Sequence, residues 1–129
     1  MFKIDNFHEF VEFQLEILHL LKIKDKNKSL SKKERKFYIH CIYLNAIGVD
    51  ITSTTAVHEL MEYMGWKYFD NVYVYRSLLK RRNWLSKDDS TELGYNVIPM
   101  FRNIDINNLN KTYNFVIACD EKISVQKKV

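Results

Sequence analysis

Three glycines and one proline among 129 residues are too few for a loop-rich all-β fold, whose frequent turns draw on both. Long helices with short connections are expected instead. Cysteine is scarce as well. Cys41 and Cys119 lie far apart within apolar runs, which excludes a disulfide scaffold and reads as two buried free thiols of a reducing compartment. No run approaches the roughly 20 apolar residues of a membrane span. The apolar stretch near the start is interrupted by Glu9, Glu12 and Glu16 and lacks a small-residue cleavage site, so no signal peptide is expected and the location is read as cytoplasmic.

Familiar catalytic patterns are missing too. There is no Gly-rich phosphate loop, nucleophile elbow or CxxC pair. His58-Glu59 followed by Glu62 has only part of the H-E-x-x-H zinc pattern, and the second histidine is absent. His40 and Cys41 are adjacent, so on a helix they point in different directions, and no second ligand pair has finger spacing. No enzymatic activity, catalytic residue, metal or cofactor is expected.

What is present is the apolar and aromatic content of one globular domain, 47% and 14%. The formal charge of +4 is unevenly spread. Residues 22–36 hold eight cations against two anions, a net of +6, and residues 66–85 hold five against one, a net of +4. Residues 1–21 and 37–65 each come to −3. Two basic blocks in an otherwise neutral or acidic chain predict a localised basic surface, if folding joins them.

Along the chain, Asp5 or Asn6 can cap a helix running to about Leu21. Phe7, Phe10, Gln14, Ile17 and Leu21, flanked by Val11, Leu15 and Leu18, give it a wide apolar stripe. That stripe suits packing on the rest of the chain or pairing with a second copy in a homodimer. Residues 22–30 read as a basic linker. Ser31-Lys32-Lys33-Glu34 is a capping box. It opens a helix to about Ala46 that offers Phe37, Ile39, His40, Tyr43 and Leu44 to the core and stops at Gly48. Val49-Asp50-Ile51 alternates as a scrap of strand. Thr52 or Ser53 caps a further helix that ends at Gly65, and Trp66-Lys67-Tyr68 form a tight turn.

Phe69 to Leu85 carries the most information. Asp70 is expected to cap its helix, Lys80, Arg81 and Arg82 suit the negative end of the helix dipole, and Asn83 can take a left-handed turn. Val72, Tyr75, Leu78 and Leu79 share one side. Tyr73, Ser77, Lys80 and Arg81 share the other, with Arg76 at the border. After Asn83 the period turns from helical to alternating. Trp84-Leu85 starts a strand, residues 86–90 are turn material, and Leu93, Tyr95, Val97 and Ile98 form the return, with a bulge at Gly94 and an end at Pro99. Tyr113 to Cys119 is the strongest strand in the chain, and the tail from Asp120 is polar. The fold class is α+β and mainly helical, divided into an N-terminal amphipathic helix (1–21), a basic linker (22–30) and a domain over 31–129.

From Ser31 to about Ile98 this order resembles a winged helix–turn–helix. Val49-Asp50-Ile51 matches the family's first strand and Thr52 to Met64 its positioning helix. Gly65 to Tyr68 match the turn, Asp70 to Arg82 the recognition helix, and Trp84-Leu85 with Leu93 to Ile98 the wing. The chain would then be a winged helix–turn–helix core with an extra N-terminal helix and a C-terminal β-hairpin and strand. It is also similar to small regulators of phages and mobile elements, which would place it in a host cytoplasm.

The resemblance implies sequence-specific binding of double-stranded DNA in transcription or replication control, with residues 70–82 in the major groove. Tyr73, Arg76, Ser77, Lys80 and Arg81 would meet bases or phosphates, and Lys32, Lys33 and Lys36, with Arg35, would meet phosphate at a helix N-terminus. About six such contacts would lower affinity on the order of a thousandfold between 50 and 200 mM salt. One departure points elsewhere. The wing tip carries Asp88, Asp89 and Glu92 against Lys87 alone. Together with the apolar stripe of the first helix, it suits a winged-helix protein–protein module, such as a polymerase- or phage-assembly-associated adaptor.

Overall fold

A helix apolar nearly all round must be covered on several sides. Helix α2 (Lys32–Ala46) is such a helix: Phe37, Tyr38, Ile39, His40, Cys41, Ile42 and Leu44 are all buried in it. In the computed structural model, which describes residues 6–21 and 29–108, α2 touches α1 (Phe7–Leu21), α3 (Thr54–Met64), α4 (Asp70–Arg81) and the second hairpin strand. The sequence offered fewer α2 residues to the core. Tyr38, Cys41 and Ile42 join it because α2 has neighbours on more than one side, while Tyr43 is only half-buried. Each large apolar side chain so buried contributes about 1.5–3 kcal/mol.

Local chemistry sets the helix ends. Asn6 Oδ1 accepts from His8 N at 2.8 Å at the start of α1. The Ser31–Glu34 capping box forms with both of its bonds. Ser53 caps α3, and Gly65 ends it at φ 72°. Asn83 takes φ 64° just past α4. The expected Asp70 cap does not form. Phe69 is the capping residue, without a side-chain bond, and its carbonyl accepts from Val72 N at 3.0 Å. Asp70 is already the first helical residue, where its charge still favours the positive end of the dipole.

The α1 stripe packs within the chain. Phe7, Phe10, Val11, Gln14, Leu15 and Leu18 are buried, and α1 lies on α2, with Glu9, Glu12 and Glu16 exposed. Ile17 is half-buried, and the side chain of Leu21 lies outside the described residues. Cys41 is buried and unbonded to another sulfur. Burial pushes its thiol up to about 12.

The described residues hold one sheet, an antiparallel pair of β1 (Leu85–Lys87) and β2 (Tyr95–Val97), with Leu85 opposite Val97 and Lys87 opposite Tyr95. Ser86 and Lys87 belong to β1 rather than to the turn. Leu93 lies before β2 and is exposed, and Gly94 (φ 82°) is in the turn, so no bulge interrupts the pair. Tyr38 holds the hairpin to α2: its hydroxyl donates to Trp84 O at 2.6 Å and accepts from Ile98 N at 3.2 Å. Pro99 ends the pairing by opening a 3₁₀ turn, Pro99–Phe101. The strand expected over Tyr113 to Cys119, the polar tail and most of the basic linker lie outside the described residues.

The strand expected at Val49-Asp50-Ile51 does not form; these residues lead into a turn. The Asp50 carboxylate takes up amides that a strand would have paired. Its Oδ1 accepts from Thr52 N at 2.8 Å and from the Thr52 hydroxyl at 2.7 Å, and its Oδ2 accepts from Glu92 N at 2.8 Å. The hairpin tip is therefore tied to the start of α3 by a side chain rather than by a third strand.

Candidate nucleic-acid interface

Helix α4 enters this site from the sequence up. Val72 and Leu79 are fully buried, Tyr75 and Leu78 partly so, and Tyr73, Ser77, Lys80 and Arg81 are exposed along the opposite flank. Lys80 and Arg81 form no ion pair among the described residues; Lys80 Nζ sits 5.0 Å from the centre of the Tyr95 ring. Arg76 differs from its neighbours. It is 4% exposed, its Nη1 donates to Ile51 O at 3.1 Å, and its guanidinium lies 5.0 Å over the Tyr73 ring. The border position seen in the sequence resolves inward, because the 50–52 turn and the hairpin close over that side.

Between α4 and the hairpin is a notch of about 240 Å³, lined by Tyr73, Arg76, Ser77, Lys80, Leu93 and Tyr95. Lys32, Lys33 and Lys36 are elsewhere. They line a groove of about 520 Å³ with His8 and Glu12 of α1 and Tyr63 of α3. Lys33 Nζ is 5.9 Å from the Trp66 ring and Lys36 Nζ is 5.2 Å from the Tyr63 ring. The eight residues singled out by sequence thus fall into two sets. Arg82 links the helices that carry them, pairing with Glu34 Oε1 and donating to Ser29 O, each at 3.0 Å.

The acidic hairpin tip is largely self-satisfied. Asp88 accepts from Ser90 N, the Ser90 hydroxyl and Asn96 Nδ2, and these bonds, with Arg102 at 3.9 Å, hold its carboxyl down to about 2. Arg102 braces the same turn by donating to Val97 O, the Ser86 hydroxyl and Lys87 O. Asp89 and Glu92 remain exposed.

Sequence reasoning missed the apolar part of this surface. Tyr68 (71% exposed), Phe69 (52%), Val74 (59%) and Leu93 (57%) are exposed large apolar side chains, and Leu93 lines the notch with Tyr73. Phe69 and Tyr73 meet edge to face at 5.9 Å. The signal was Val74, an apolar residue on the cationic side of the helical wheel. The described residues contain no group of three or more potential metal ligands, and none of their helices is long and apolar enough to cross a membrane. Compared with models of protein families, with curated proteins and with solved structures, the chain finds no match.

Proposed function

We propose that the protein binds double-stranded DNA sequence-specifically, as a winged helix–turn–helix regulator of transcription or replication. Helix α4 reads the major groove and the β1–β2 hairpin acts as the wing. The observation that carries this reading is the exposed flank of α4, where Tyr73, Ser77, Lys80 and Arg81 stand free of any carboxylate of the described residues. The order α2, α3, five-residue turn, α4, hairpin supports it. The tip tied to Asp50 serves where that family has a first strand. A cytoplasmic setting of the phage or mobile-element kind belongs to the same proposal.

Titration of fluorescent duplex DNA at several salt concentrations tests it. If both cation sets touch phosphate, affinity falls on the order of a thousandfold between 50 and 200 mM salt. The α4 flank alone, with two or three contacts, gives about 10- to 40-fold. Affinity that barely moves over this range overturns the proposal.

A second reading, a winged-helix adaptor for another protein, is favoured by four exposed apolar side chains, Tyr68, Phe69, Val74 and Leu93. The α1 stripe lends it less, because Phe7, Phe10, Val11, Gln14, Leu15 and Leu18 are buried within the chain. Under this reading Phe69→Ser with Val74→Ser abolishes partner capture, and duplex DNA binds only weakly.

A further inference from the structure

Among the described residues Arg76 has no counter-ion. Its Nε is buried without a hydrogen-bond partner, and its one hydrogen bond among the described residues goes to a neutral carbonyl, Ile51 O. None of the ion pairs among the described residues includes it. A guanidinium presents five donors in a planar fork, and when buried it ordinarily meets a carboxylate or a phosphate. Removing such a charge from water without compensation is costly.

Yet Arg76 is not sealed in the core, because it lines the notch between α4 and the hairpin. Ser77 and Lys80 line the same notch and are exposed. The three residues lie within five positions of one helix, so a single stretch of α4 supplies a guanidinium, a hydroxyl and an ammonium to one place. No acidic side chain of the described residues lines the notch. The Tyr73 ring has Arg76 over its face and Phe69 at its edge.

We infer that this notch is a phosphate-binding site. Arg76 supplies a pre-set positive charge at the buried end, Ser77 donates a hydrogen bond and Lys80 completes the charge at the rim. The inference rests on the DNA reading only for the source of the phosphate, which is the duplex backbone. It changes the role of Arg76: a backbone anchor fixes the register of α4 and reads no base.

The test is ¹⁵N NMR on the full chain, titrated first with inorganic phosphate at constant ionic strength and then with a short DNA duplex. Expected are saturable shifts of the Arg76 Nε–H signal and of the Ser77 and Lys80 amides in both titrations. Ser77→Ala, at an exposed position that leaves the fold alone, lowers phosphate affinity about tenfold, the worth of one hydrogen bond to a charged group. Arg76→Lys keeps the charge, loses the fork and weakens binding further. Shifts that grow linearly and spread over surface lysines, or affinity indifferent to Ser77→Ala, overturn the site. Duplex shifts along α4 without any at Arg76 overturn the site and leave the DNA reading standing. Saturation by phosphate with no response to duplex upholds the site and removes DNA as its source.

Discussion

His8 of α1 and His40 of α2 share a single hydrogen bond, with His8 Nε2 3.1 Å from His40 Nδ1. His40 also stacks on Tyr63 of α3, ring centres 3.9 Å apart and planes 5° apart. Three helices therefore meet at one imidazole. Burial, and then the neighbouring His8, push His40 down to about 4, and burial lowers His8. A depressed histidine stays neutral in the fold while its unfolded counterpart takes up a proton near pH 6.5. Its contribution is thus whole above pH 6.5 and drains away as pH falls toward 4. The loss is on the order of 2 kcal/mol, read as a urea midpoint at pH 7 and pH 4.5. His40→Phe keeps the stack and removes the titration, so its midpoint moves less between the two. An equal drop in the variant would place the acid sensitivity elsewhere.

Tyr38→Phe removes the oxygen that bridges the Trp84 carbonyl and the Ile98 amide. Tyr38 is fully buried, so water does not replace the bond freely. The expected cost is about 1–3 kcal/mol in chemical denaturation, with faster amide exchange concentrated in Leu85–Lys87 and Tyr95–Val97. Exchange that quickens evenly over the whole chain would show that Tyr38 does not specifically hold the hairpin.

Gln14 is 1% exposed, and neither its Oε1 nor its Nε2 has a hydrogen-bond partner among the described residues. It faces α2 among Phe10, Val11 and Leu15, where a polar amide forfeits its hydrogen bonds to water. Gln14→Leu, close in size and without polar atoms, is expected to raise stability by about 1–2 kcal/mol, seen as a higher urea midpoint at unchanged slope. A lower midpoint would mean that the amide is satisfied in solution.

Signals confined to a few neighbouring residues were legible in the sequence. The Ser31–Glu34 box, the Gly65 stop and the Asn83 turn depend on residues within four of each other, and each appears in the fold. So does the split of α4 into buried and exposed flanks. The Asp50 bond to Glu92 spans 42 positions, and no local period encodes it. The same holds for the depth of Arg76. Its wheel angle gives only a border, and the 50–52 turn and hairpin decide that it is covered. Lys32, Lys33 and Lys36 are close in sequence and line one groove. Which groove they line depends on where α1 and α3 pack, so grouping them with Lys80 went beyond what the charge pattern encodes.

Lys80 and Arg81 separate the DNA reading from the adaptor reading without disturbing the fold. Both are exposed, and alanine is the best helix former. Lys80→Ala loses only its contact with the Tyr95 ring, about 0.5–1 kcal/mol, and Arg81→Ala less. If each cation meets a base, duplex affinity falls by about 1–3 kcal/mol per substitution, some 5- to 150-fold, and discrimination between sequences relaxes at one position. If the contact is to phosphate, affinity falls for all sequences alike and the salt slope loses about one unit. The two residues sit side by side at the end of α4, so the double variant distinguishes independent contacts, whose costs add, from a shared one, whose costs do not. Unchanged duplex affinity in a folded double variant removes α4 as a DNA reader. The exposed apolar side chains Tyr68, Phe69, Val74 and Leu93 then become the positions to probe for a protein partner.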